Sequence, residues 1–356
     1  MRVLVGMSGG IDSSVAAYLL KKAGYEVEGI TMLIWKPDSP YPMPMSANSC
    51  YSPDKSKDLE KIREISERIG IRHFTVDCSD LFESAVLDNF RSEYMNGHTP
   101  NPCIWCNQKI KFGAMLDYAR ELLPFDYFAT GHYARVRKLE NGRYAVLKAR
   151  DEKKDQSYFL SRLSQEQLSS VLFPLGDYLK SEIREIDEIL GFHEKGQSES
   201  QDFYGGDYTE LLAVEDKKGD IVLEDGTILG QHNGFWHYTI GQRKGLGIAY
   251  SEPLYVISLD PDRNLVVVGT EPSTHSTVVK AGDAVFGAVD DFDPDTIYTV
   301  KIRSMSKPAE AHVRRTGEGF EVEFLDYVKG AAPGQSAVVY YRDAVAASGI
   351  ISGQEG

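Results

Sequence analysis

The segment that joins the first predicted strand to the first predicted helix constrains this fold most. Residues 1–5 are apolar and predict a buried strand, residues 15–22 predict a helix, and Gly-Met-Ser-Gly-Gly-Ile-Asp-Ser-Ser occupies residues 6–14. Glycines let the backbone approach an anion closely, and a helix N-terminus offers unbonded N–H groups to negative charge. The segment has neither the Gly-Lys-Ser/Thr of a Walker loop nor a dinucleotide Gly-x-Gly-x-x-Gly. We therefore expect a phosphate-binding loop of another class, with a nucleotide as its ligand.

The periodicity of the chain predicts an α/β protein with a β-rich C-terminal part. Strand patterns at residues 26–32, 72–76 and 125–130 alternate with helix patterns at 57–69 and 110–122. Such alternation indicates a parallel sheet, whose ligands lie beyond the carboxyl ends of its strands. From about residue 277 short alternating strands predict a small barrel or sandwich. We predict an α/β domain at 1–208, a central α+β domain at 209–275 and a C-terminal β-barrel at 276–356.

Composition restricts the compartment more than the partner. The chain has 356 residues, four cysteines and a formal net charge of −14. That charge argues weakly against nucleic acid, because Lys and Arg contacts to phosphate dominate such binding. No apolar run reaches the ~20 residues of a membrane span, and residues 1–30 lack the layout of a signal peptide. We expect a protein of the reducing cytoplasm, without disulfides and without a membrane partner.

A second segment carries thiols. Cys103 and Cys106 form Cys-x-x-Cys directly after Asn101-Pro102 and before the helix predicted at 110–122. A thiol at a helix N-terminus near lysines is expected to have a lowered pKa and to be a better nucleophile. Three interpretations compete: a redox pair, a structural zinc site, or sulfur or iron–sulfur chemistry.

The motifs together resemble one family. The pattern Ser-Gly-Gly-x-Asp-Ser-Ser resembles the PP-loop of the ATP pyrophosphatases. The whole chain resembles the tRNA-specific 2-thiouridylases, bacterial enzymes that thiolate the wobble uridine of tRNA. The motifs that carry this likeness lie at residues 6–14, 101–112, 129–134, 154–160, 173–176, 199–202 and 238–247.

The resemblance implies a PP-loop domain, ATP and Mg²⁺ as cofactors, and tRNA as substrate. It implies that the uridine oxygen is adenylated and that sulfur then displaces AMP, with Cys106 as the catalytic thiol. The residues implied to bind ATP are Gly6, Met7, Ser8, Gly9, Gly10, Ile11, Asp12, Ser13, Met32 and Gly131. The residues implied to contact tRNA are Asn101, Pro102, Cys103, Lys154, Asp155 and Gln156.

Several of these residues have a structural alternative. Met32 and Gly131 could be strand-end packing and turn residues, and Lys154-Asp155 could be a solvated charged loop. Asp12 is a candidate for positioning Mg²⁺ or pyrophosphate, and an N-cap is an equal alternative.

The chain also departs from the family. The second cysteine, which carries the persulfide and is usually part of Ile-Cys-Phe, is absent, since Phe203 and Tyr204 replace Ile-Cys. Asn-Pro-Cys-x-x-Cys instead resembles tRNA thiolases that bind a [4Fe–4S] cluster through three cysteines. The cluster hypothesis takes Cys103 and Cys106 as ligands, with Cys50 favoured over Cys78 as the third. Its main rival is a persulfide on Cys106 resolved by Cys103.

A further departure lies near the C-terminus. Arg303 matches a tRNA-contacting position and could meet phosphate, but Ser304 follows it where the family usually has Tyr. Two other functions remain open: a PP-loop small-molecule ligase or amidotransferase, and a non-catalytic tRNA-binding protein. The sequence leaves undecided the sulfur donor (a sulfur-relay protein or sulfide), the tRNA set and the oligomeric state.

Overall fold

The computed structural model describes residues 1–42, 49–51, 56–196 and 203–355, so the predicted motif at 199–202 lies outside the described residues. The chain forms two compact units. The first comprises Met1–Val86, Pro102–Asp207 and Asp343–Val345, and the second comprises Leu87–Asn101, Tyr208–Arg342 and Ala346–Gly356. Within the described residues, no helix is both long and apolar enough to cross a membrane.

The first unit is built on a parallel sheet. The strands of the first unit, of which β5 and β6 lie outside the parallel sheet, are β1 (Arg2–Gly6), β2 (Glu26–Leu33), β3 (Arg72–Asp77), β4 (Tyr127–Ala129), β5 (Arg135–Lys138), β6 (Tyr144–Leu147) and β7 (Val171–Leu172). Its helices are α1 (Ile11–Lys22), α2 (Ser56–Ile69), α3 (Ser79–Phe82), α5 (Pro102–Trp105), α6 (Met115–Leu122), α7 (Gln165–Ser169) and α8 (Lys180–Leu190), with a 3₁₀ turn at Ser157–Leu160. Two segments are π-helical. Glu83–Leu87 precedes α4 (Asp88–Met95), and Cys106–Ala114 precedes α6.

The sheet has the strand order β3-β2-β1-β4-β7, and every pairing in it is parallel. The interior of β1 (Val3, Leu4 and Val5) is almost completely buried, as expected for a central strand covered on both faces. This arrangement confirms the predicted α/β class. It also brings the carboxyl ends of β1, β2 and β4 to one edge, where residues 6–10, Met32 and Gly131 follow or end the strands.

The strands β5 and β6 form an antiparallel hairpin in the same unit. Gly142, with φ of +84°, turns the chain between them, and the Leu139 N–H bonds to the Arg143 carbonyl. The sequence Asn-Gly at 141–142 predicts such a turn, because glycine adopts positive φ at no steric cost.

The second unit contains the helix α4 (Asp88–Met95), a four-stranded sheet and a barrel. Its strands are β8 (Gly219–Leu223), β9 (Ile228–His232), β10 (Tyr255–Asp260), β11 (Leu265–Gly269), β12 (His275–Phe286), β13 (Tyr298–Lys301), β14 (Ala309–Thr316), β15 (Gly319–Lys329), β16 (Ser336–Tyr341) and β17 (Ala344–Glu355). Short 3₁₀ turns lie at Tyr208–Leu212, Phe235–His237 and Glu271–Thr274.

The four-stranded sheet has the order β10-β11-β8-β9, and the barrel has the order β12-β15-β14-β13-β16-β17. Pairing of β12 with β17 closes the barrel, which removes its open edges. Inward residues such as Val279, Val313, Phe320, Val322 and Val339 fill its interior. The small central domain and the C-terminal barrel are thus confirmed as architecture.

One predicted helix differs from expectation. The sequence predicts a continuous α-helix over 110–122, whereas the structure has a π-helix over Cys106–Ala114 followed by α6. Gly113 breaks the helical geometry with φ of −117° and ψ of −107°. A side chain of α7 stabilises the widened turn, because the Gln167 amide donates to the backbone carbonyls of Gln108 and Phe112, both at 2.9 Å.

Candidate functional site

The loop after β1 has the geometry of an anion site. Helix α1 begins at Ile11, with the extended Gly10 as its N-cap and Gly9 at φ of +81°. The Ser13 and Ser14 hydroxyls donate to the Gly10 carbonyl at 3.1 and 3.0 Å, which holds the turn closed. Within the described residues, the N–H groups of Gly10, Ile11 and Asp12 have no hydrogen-bond acceptor. Three such donors at a helix N-terminus favour a phosphate.

Gly131 packs against this loop at the end of β4. A Cβ atom at Gly131 would lie 2.7 Å from both the Asp12 carbonyl carbon and the Ser13 nitrogen. No side chain fits there without moving the backbone of the first turn of α1. Gly131 therefore has a close-approach role beyond that of an ordinary turn residue.

Asp12 is engaged with two groups inside the first unit. The Lys180 ammonium lies 2.7 and 2.9 Å from its two carboxylate oxygens, and the Tyr133 hydroxyl donates to Oδ1 at 2.8 Å. The N-cap alternative is wrong, because Gly10 occupies that position and no side chain caps the helix. The Lys180 ammonium thus places a positive charge beside the first turn of α1.

Met7 and Met32 occupy the ends of neighbouring strands. Met7 is buried and its carbonyl accepts a hydrogen bond from the Thr31 hydroxyl at 2.7 Å. Met32 is half-buried next to Thr31, near the carboxyl end of β2. Both lie on the predicted nucleotide edge of the sheet.

Two side chains of the motif at residues 154–156 form hydrogen bonds near the first turn of α1. Asp155 accepts hydrogen bonds from the Ala149 N–H and from the Ser157 hydroxyl, at 2.9 and 2.7 Å. The side-chain amide oxygen of Gln156 accepts from the Tyr133 N–H at 2.8 Å, and the Tyr133 hydroxyl donates to Asp12. These two side chains therefore have structural partners, and contact of Lys154, Asp155 and Gln156 with tRNA stays a prediction.

Cys106 is the first residue of the π-helix, but it does not lie at a free helix N-terminus, because α5 runs directly into the π-helix. Burial raises the pKa of the Cys106 thiol to about 11, and the nearby Lys111 ammonium offsets only part of this rise. The expected lowering of the pKa is thus wrong: desolvation of the thiolate outweighs one cation. In the resting protein Cys106 is a protonated thiol at neutral pH.

Two other thiols lie near Cys106. The Cys50 thiol is close enough to Cys106 to help raise the pKa of Cys106. The Cys78 thiol is buried, and burial raises its pKa to about 12, with a smaller contribution from Cys106. Yet among residues 1–42, 49–51, 56–196 and 203–355 no three Cys, His, Asp or Glu side chains are grouped to hold a metal ion. In this arrangement Cys50, Cys103 and Cys106 do not fit a three-thiolate cluster site.

The position of the missing second cysteine lies close to Cys50. Phe203 and Tyr204 are both buried, and the Phe203 carbonyl accepts a hydrogen bond from the Tyr51 N–H at 2.9 Å. The rings of Tyr51 and Tyr204 also lie 6.5 Å apart. Aromatic side chains therefore pack at Phe203 and Tyr204, against Tyr51, the residue that follows Cys50.

The cationic surroundings of the Cys-x-x-Cys segment centre on Trp105. The buried Arg162 guanidinium lies 5.3 Å from the Trp105 ring centre, and the Lys109 ammonium lies 5.9 Å from it. Such contacts hold positive charge against an aromatic ring. The Asn107 amide donates to the Phe159 carbonyl at 3.0 Å, which ties this segment to the 3₁₀ turn Ser157–Leu160.

His132 follows Gly131 and stays neutral. Burial and the Lys111 ammonium hold its pKa well below the usual 6.5, and its Nδ1 lies 2.7 Å from the Thr130 hydroxyl. The neutral ring packs between Phe112 and Phe173.

The remaining predicted tRNA residues lie apart in the chain. Asn101 is the last residue of its segment in the second unit, and Pro102 is the first residue of α5 in the first unit. In the second unit the Arg303 guanidinium donates to the Ile240 carbonyl at 2.6 Å, and the Ser304 carbonyl accepts from Lys301. Contact of Arg303 and Ser304 with tRNA stays a prediction.

The sequence analysis missed Lys180, Tyr133 and His193, which all contact the phosphate loop or its first helical turn. A lysine as the first residue of a helix is a usable signal, because the helix dipole disfavours a cation there. Nothing in the local pattern distinguishes Tyr133 or His193.

The fold and site define a class: a parallel-sheet nucleotide domain of the PP-loop type, followed by a small domain and a β-barrel. The tRNA methyl transferase HUP domain matches residues 1–204, the tRNA methyl transferase PRC-barrel domain matches 211–270, and the aminomethyltransferase beta-barrel domain matches 282–351. The chain belongs to the tRNA-specific 2-thiouridylase family.

Relatives match over the full length. A tRNA-specific 2-thiouridylase MnmA of Endomicrobium trichonymphae is 42% identical, over 99% of both chains. One of Clostridioides difficile is 40% identical, over 98% of both. Among solved structures, the U34-tRNA thiolase NcsA of Methanococcus maripaludis is 17% identical, over 56% of this chain and 61% of that one, with a TM-score of 0.34. A likeness that weak supports no statement about this chain.

Proposed function

We propose that this protein is a tRNA-uridine 2-sulfurtransferase that consumes ATP and releases AMP and pyrophosphate. The observation that carries the proposal is the phosphate loop with its three unbonded N–H groups in the same compact unit as Cys103 and Cys106. Full-length similarity to proteins named tRNA-specific 2-thiouridylase supplies the substrate class. We place the reaction in the cytoplasm, where tRNA is found.

The first half-reaction follows from the chemistry of a uridine carbonyl, whose oxygen is a poor leaving group. That oxygen attacks the α-phosphate of ATP, and pyrophosphate leaves. The N–H groups of Gly10, Ile11 and Asp12 stabilise the departing charge, and Mg²⁺ enters with ATP. Lys180, held by the Asp12 carboxylate, adds a cation beside the loop. In this proposal Asp12 positions Lys180, and Met32 and Gly131 border the nucleotide.

The second half-reaction needs a sulfur carrier, and we propose a persulfide on Cys106. Its terminal sulfur attacks C2 of the adenylated uridine, and AMP leaves. The Cys103 thiolate then attacks the Cys106 sulfur, which breaks the persulfide bond and forms a Cys103–Cys106 disulfide. An external dithiol supplies the two electrons that reduce this disulfide. Lys111, which lowers the pKa of Cys106, is the nearby cation that promotes loading of sulfur.

Substrate contacts follow from the same assignment. Asn101, Pro102 and Cys103 border the target base, which must leave its stack for this chemistry. Lys154 with Asp155 and Gln156, and Arg303 with Ser304, are the proposed tRNA contacts. The sulfur donor for this route is a relay protein that carries a persulfide, whose outer sulfur passes to the Cys106 thiolate while the donor's own thiolate leaves. Free sulfide would serve only the cluster alternative, because sulfide needs a two-electron oxidant to become the outer sulfur of a persulfide.

The test is nucleoside mass spectrometry of unmodified tRNA incubated anaerobically with ATP, Mg²⁺ and either sulfide or a persulfide donor. Metal-free and iron–sulfur-reconstituted protein are compared, together with C103S, C106S and the matched buried-thiol control C78S. With the persulfide donor and an added dithiol, we expect 2-thiouridine from metal-free wild type and C78S, and none from C106S. With sulfide alone the metal-free protein should give none, because no oxidant is present to turn sulfide into a persulfide. Product only after reconstitution would replace the persulfide by a [4Fe–4S] cluster bound through Cys103 and Cys106. Product from C106S would contradict the proposal.

A further inference from the structure

A buried pair, His193 and Asp187, contacts the backbone of the phosphate loop at Gly9. His193 Nδ1 lies 2.7 Å from Asp187 Oδ1, and His193 Nε2 lies 3.0 Å from the Gly9 carbonyl oxygen. The His193 side chain is 0% exposed and that of Asp187 is 5% exposed. No part of the proposed chemistry uses these two residues, and both belong to the first unit.

The two partners fix the orientation of the His193 ring. The Gly9 carbonyl oxygen can only accept, so Nε2 carries a proton and donates to it. Asp187 bonds to the other ring nitrogen, Nδ1, and so holds the ring toward Gly9.

The bond to Gly9 matters because of the peptide that follows it. In a trans peptide the Gly9 C=O and the Gly10 N–H point in opposite directions. Holding the carbonyl toward His193 therefore directs the Gly10 N–H away from it, and this N–H is one of the three loop donors without an acceptor in the described residues. Gly9 has φ of +81°, a conformation that glycine leaves easily, so the loop does not fix this peptide by itself.

The surroundings make His193 a fixed support. On α2, the Arg68 guanidinium donates to the Gly191 and Leu190 carbonyls and lies 5.1 Å from the Phe192 ring centre. That guanidinium is thus occupied at the C-terminal end of α8.

Asp187 of α8 is the charged side chain that contacts His193. Arg68 of α2 and Tyr18 of α1 contact the residues just before His193, namely Gly191 and Phe192.

We infer that His193, oriented by Asp187, is a positioning residue of the ATP site, which aims the Gly10 N–H at the triphosphate through its hydrogen bond to the Gly9 carbonyl. This inference rests on the proposed function for the identity of the nucleotide.

The experiment measures binding of a non-hydrolysable ATP analogue by calorimetry. The proteins are wild type, H193N, D187N and H312N, the last being a matched control because His312 is exposed on the barrel strand β14. Wild type and H312N should bind equally well. H193N should bind about tenfold more weakly, the size expected for one lost buried hydrogen bond.

The variant D187N changes the partner of the ring without removing the bond to Gly9. An asparagine amide can donate to Nδ1, so His193 keeps its Nε2–H bond to the Gly9 carbonyl. We expect D187N to bind the analogue with nearly wild-type affinity. In steady-state pyrophosphate release, H193N should raise KM for ATP more than it lowers kcat.

Two outcomes would overturn the inference. One is a folded H193N with wild-type affinity, and the other is a folded D187N that binds at least tenfold more weakly than wild type although it keeps the His193 ring. D187N decides the question if H193N fails to fold. Thiouridine production by wild type is scored separately, so tight analogue binding without thiouridine contradicts the proposed function alone.

Discussion

The Lys180 ammonium lies 2.7 Å from the Asp12 carboxylate, although 168 positions separate the two residues in the chain. Lys180 is the first residue of α8 and its side chain is 8% exposed, while Asp12 lies in the first turn of α1. The pair therefore joins the two helices at the phosphate loop. It sets a buried cation next to the N–H groups that we propose bind pyrophosphate.

Replacing Lys180 by methionine should slow pyrophosphate release and destabilise the fold. The variant K180M leaves the Asp12 carboxylate without its cation, and we expect a loss of about 1–3 kcal/mol in the free energy of unfolding. Denaturant titration and pyrophosphate release measure the two effects. The control is K195M, since Lys195 pairs with Glu188 on the exposed surface and should change stability by less than ~0.5 kcal/mol. Equal effects of the two variants would contradict the prediction.

Adding one methyl group at Gly131 should damage the nucleotide site. In G131A the new Cβ would lie 2.7 Å from backbone atoms of Asp12 and Ser13, so the first turn of α1 must shift. We expect a destabilisation of about 1–3 kcal/mol and weaker binding of ATP analogues. Gly282 offers the control, because its Cβ would meet nothing within 4 Å. An unchanged affinity in folded G131A would argue against the assignment of Gly131.

Alkylation of Cys106 should be slow at neutral pH and rise steeply with alkaline pH. Burial stabilises the neutral thiol, so a pKa of about 11 leaves much less thiolate than in an exposed cysteine. Against a usual value near 8.5 the thiolate fraction at neutral pH is roughly 300-fold lower. Peptide mapping after timed alkylation gives the rates, and Cys78, with its pKa raised to about 12, should react more slowly still.

Lys111 should accelerate that alkylation. Its positive charge lowers the pKa of Cys106, so K111M should raise the pKa and slow the reaction. K109M is the matched control, since the Lys109 ammonium lies over the Trp105 ring and is not among the groups that shift Cys106. A slower reaction in K109M than in K111M would contradict this account.

The amide of Gln167 should be needed to keep the π-helix in shape. Q167E keeps the oxygen that accepts from the Ser164 N–H but removes the donor to the Gln108 and Phe112 carbonyls. We expect a loss of about 1–3 kcal/mol in stability, because two buried acceptors lose their partner. E166Q, an exposed neighbour on the same helix, should be nearly neutral. Hydrogen exchange at residues 106–114 would show whether the segment loosens in Q167E alone.

The sequence predicts best where one segment contains the whole signal. The apolar run of β1, the glycines at 9–10 and the spacing of apolar residues in α2 predict their elements and the phosphate loop directly. Closure of the barrel depends on β12 meeting β17, and no local pattern specifies a pairing between segments so distant in the chain.

The site was predictable in part, for the same reason. The loop and the thiols are contiguous motifs, but the contact of Lys180 with Asp12 and that of His193 with Gly9 arise only after the helix α8 packs on α1. The direction of the Cys106 pKa was mispredicted because the lysines are visible in the sequence, whereas the burial that outweighs them is not.

The π-helix before α6 has a consequence for how the thiol segment can change in evolution. A π-helix has more residues per turn than an α-helix. Cys106 therefore faces a different direction around the helix axis from the one that a continuous α-helix, in register with the buried residues Met115, Leu116 and Ala119, would give it. Removing a single residue between Cys106 and Gly113 would tighten the turn and rotate the thiol by about 100° around the helix axis. If Cys106 carries the sulfur as we propose, such a deletion would move the thiol away from its target, so the length of this segment would be fixed by the chemistry at Cys106 as well as by packing.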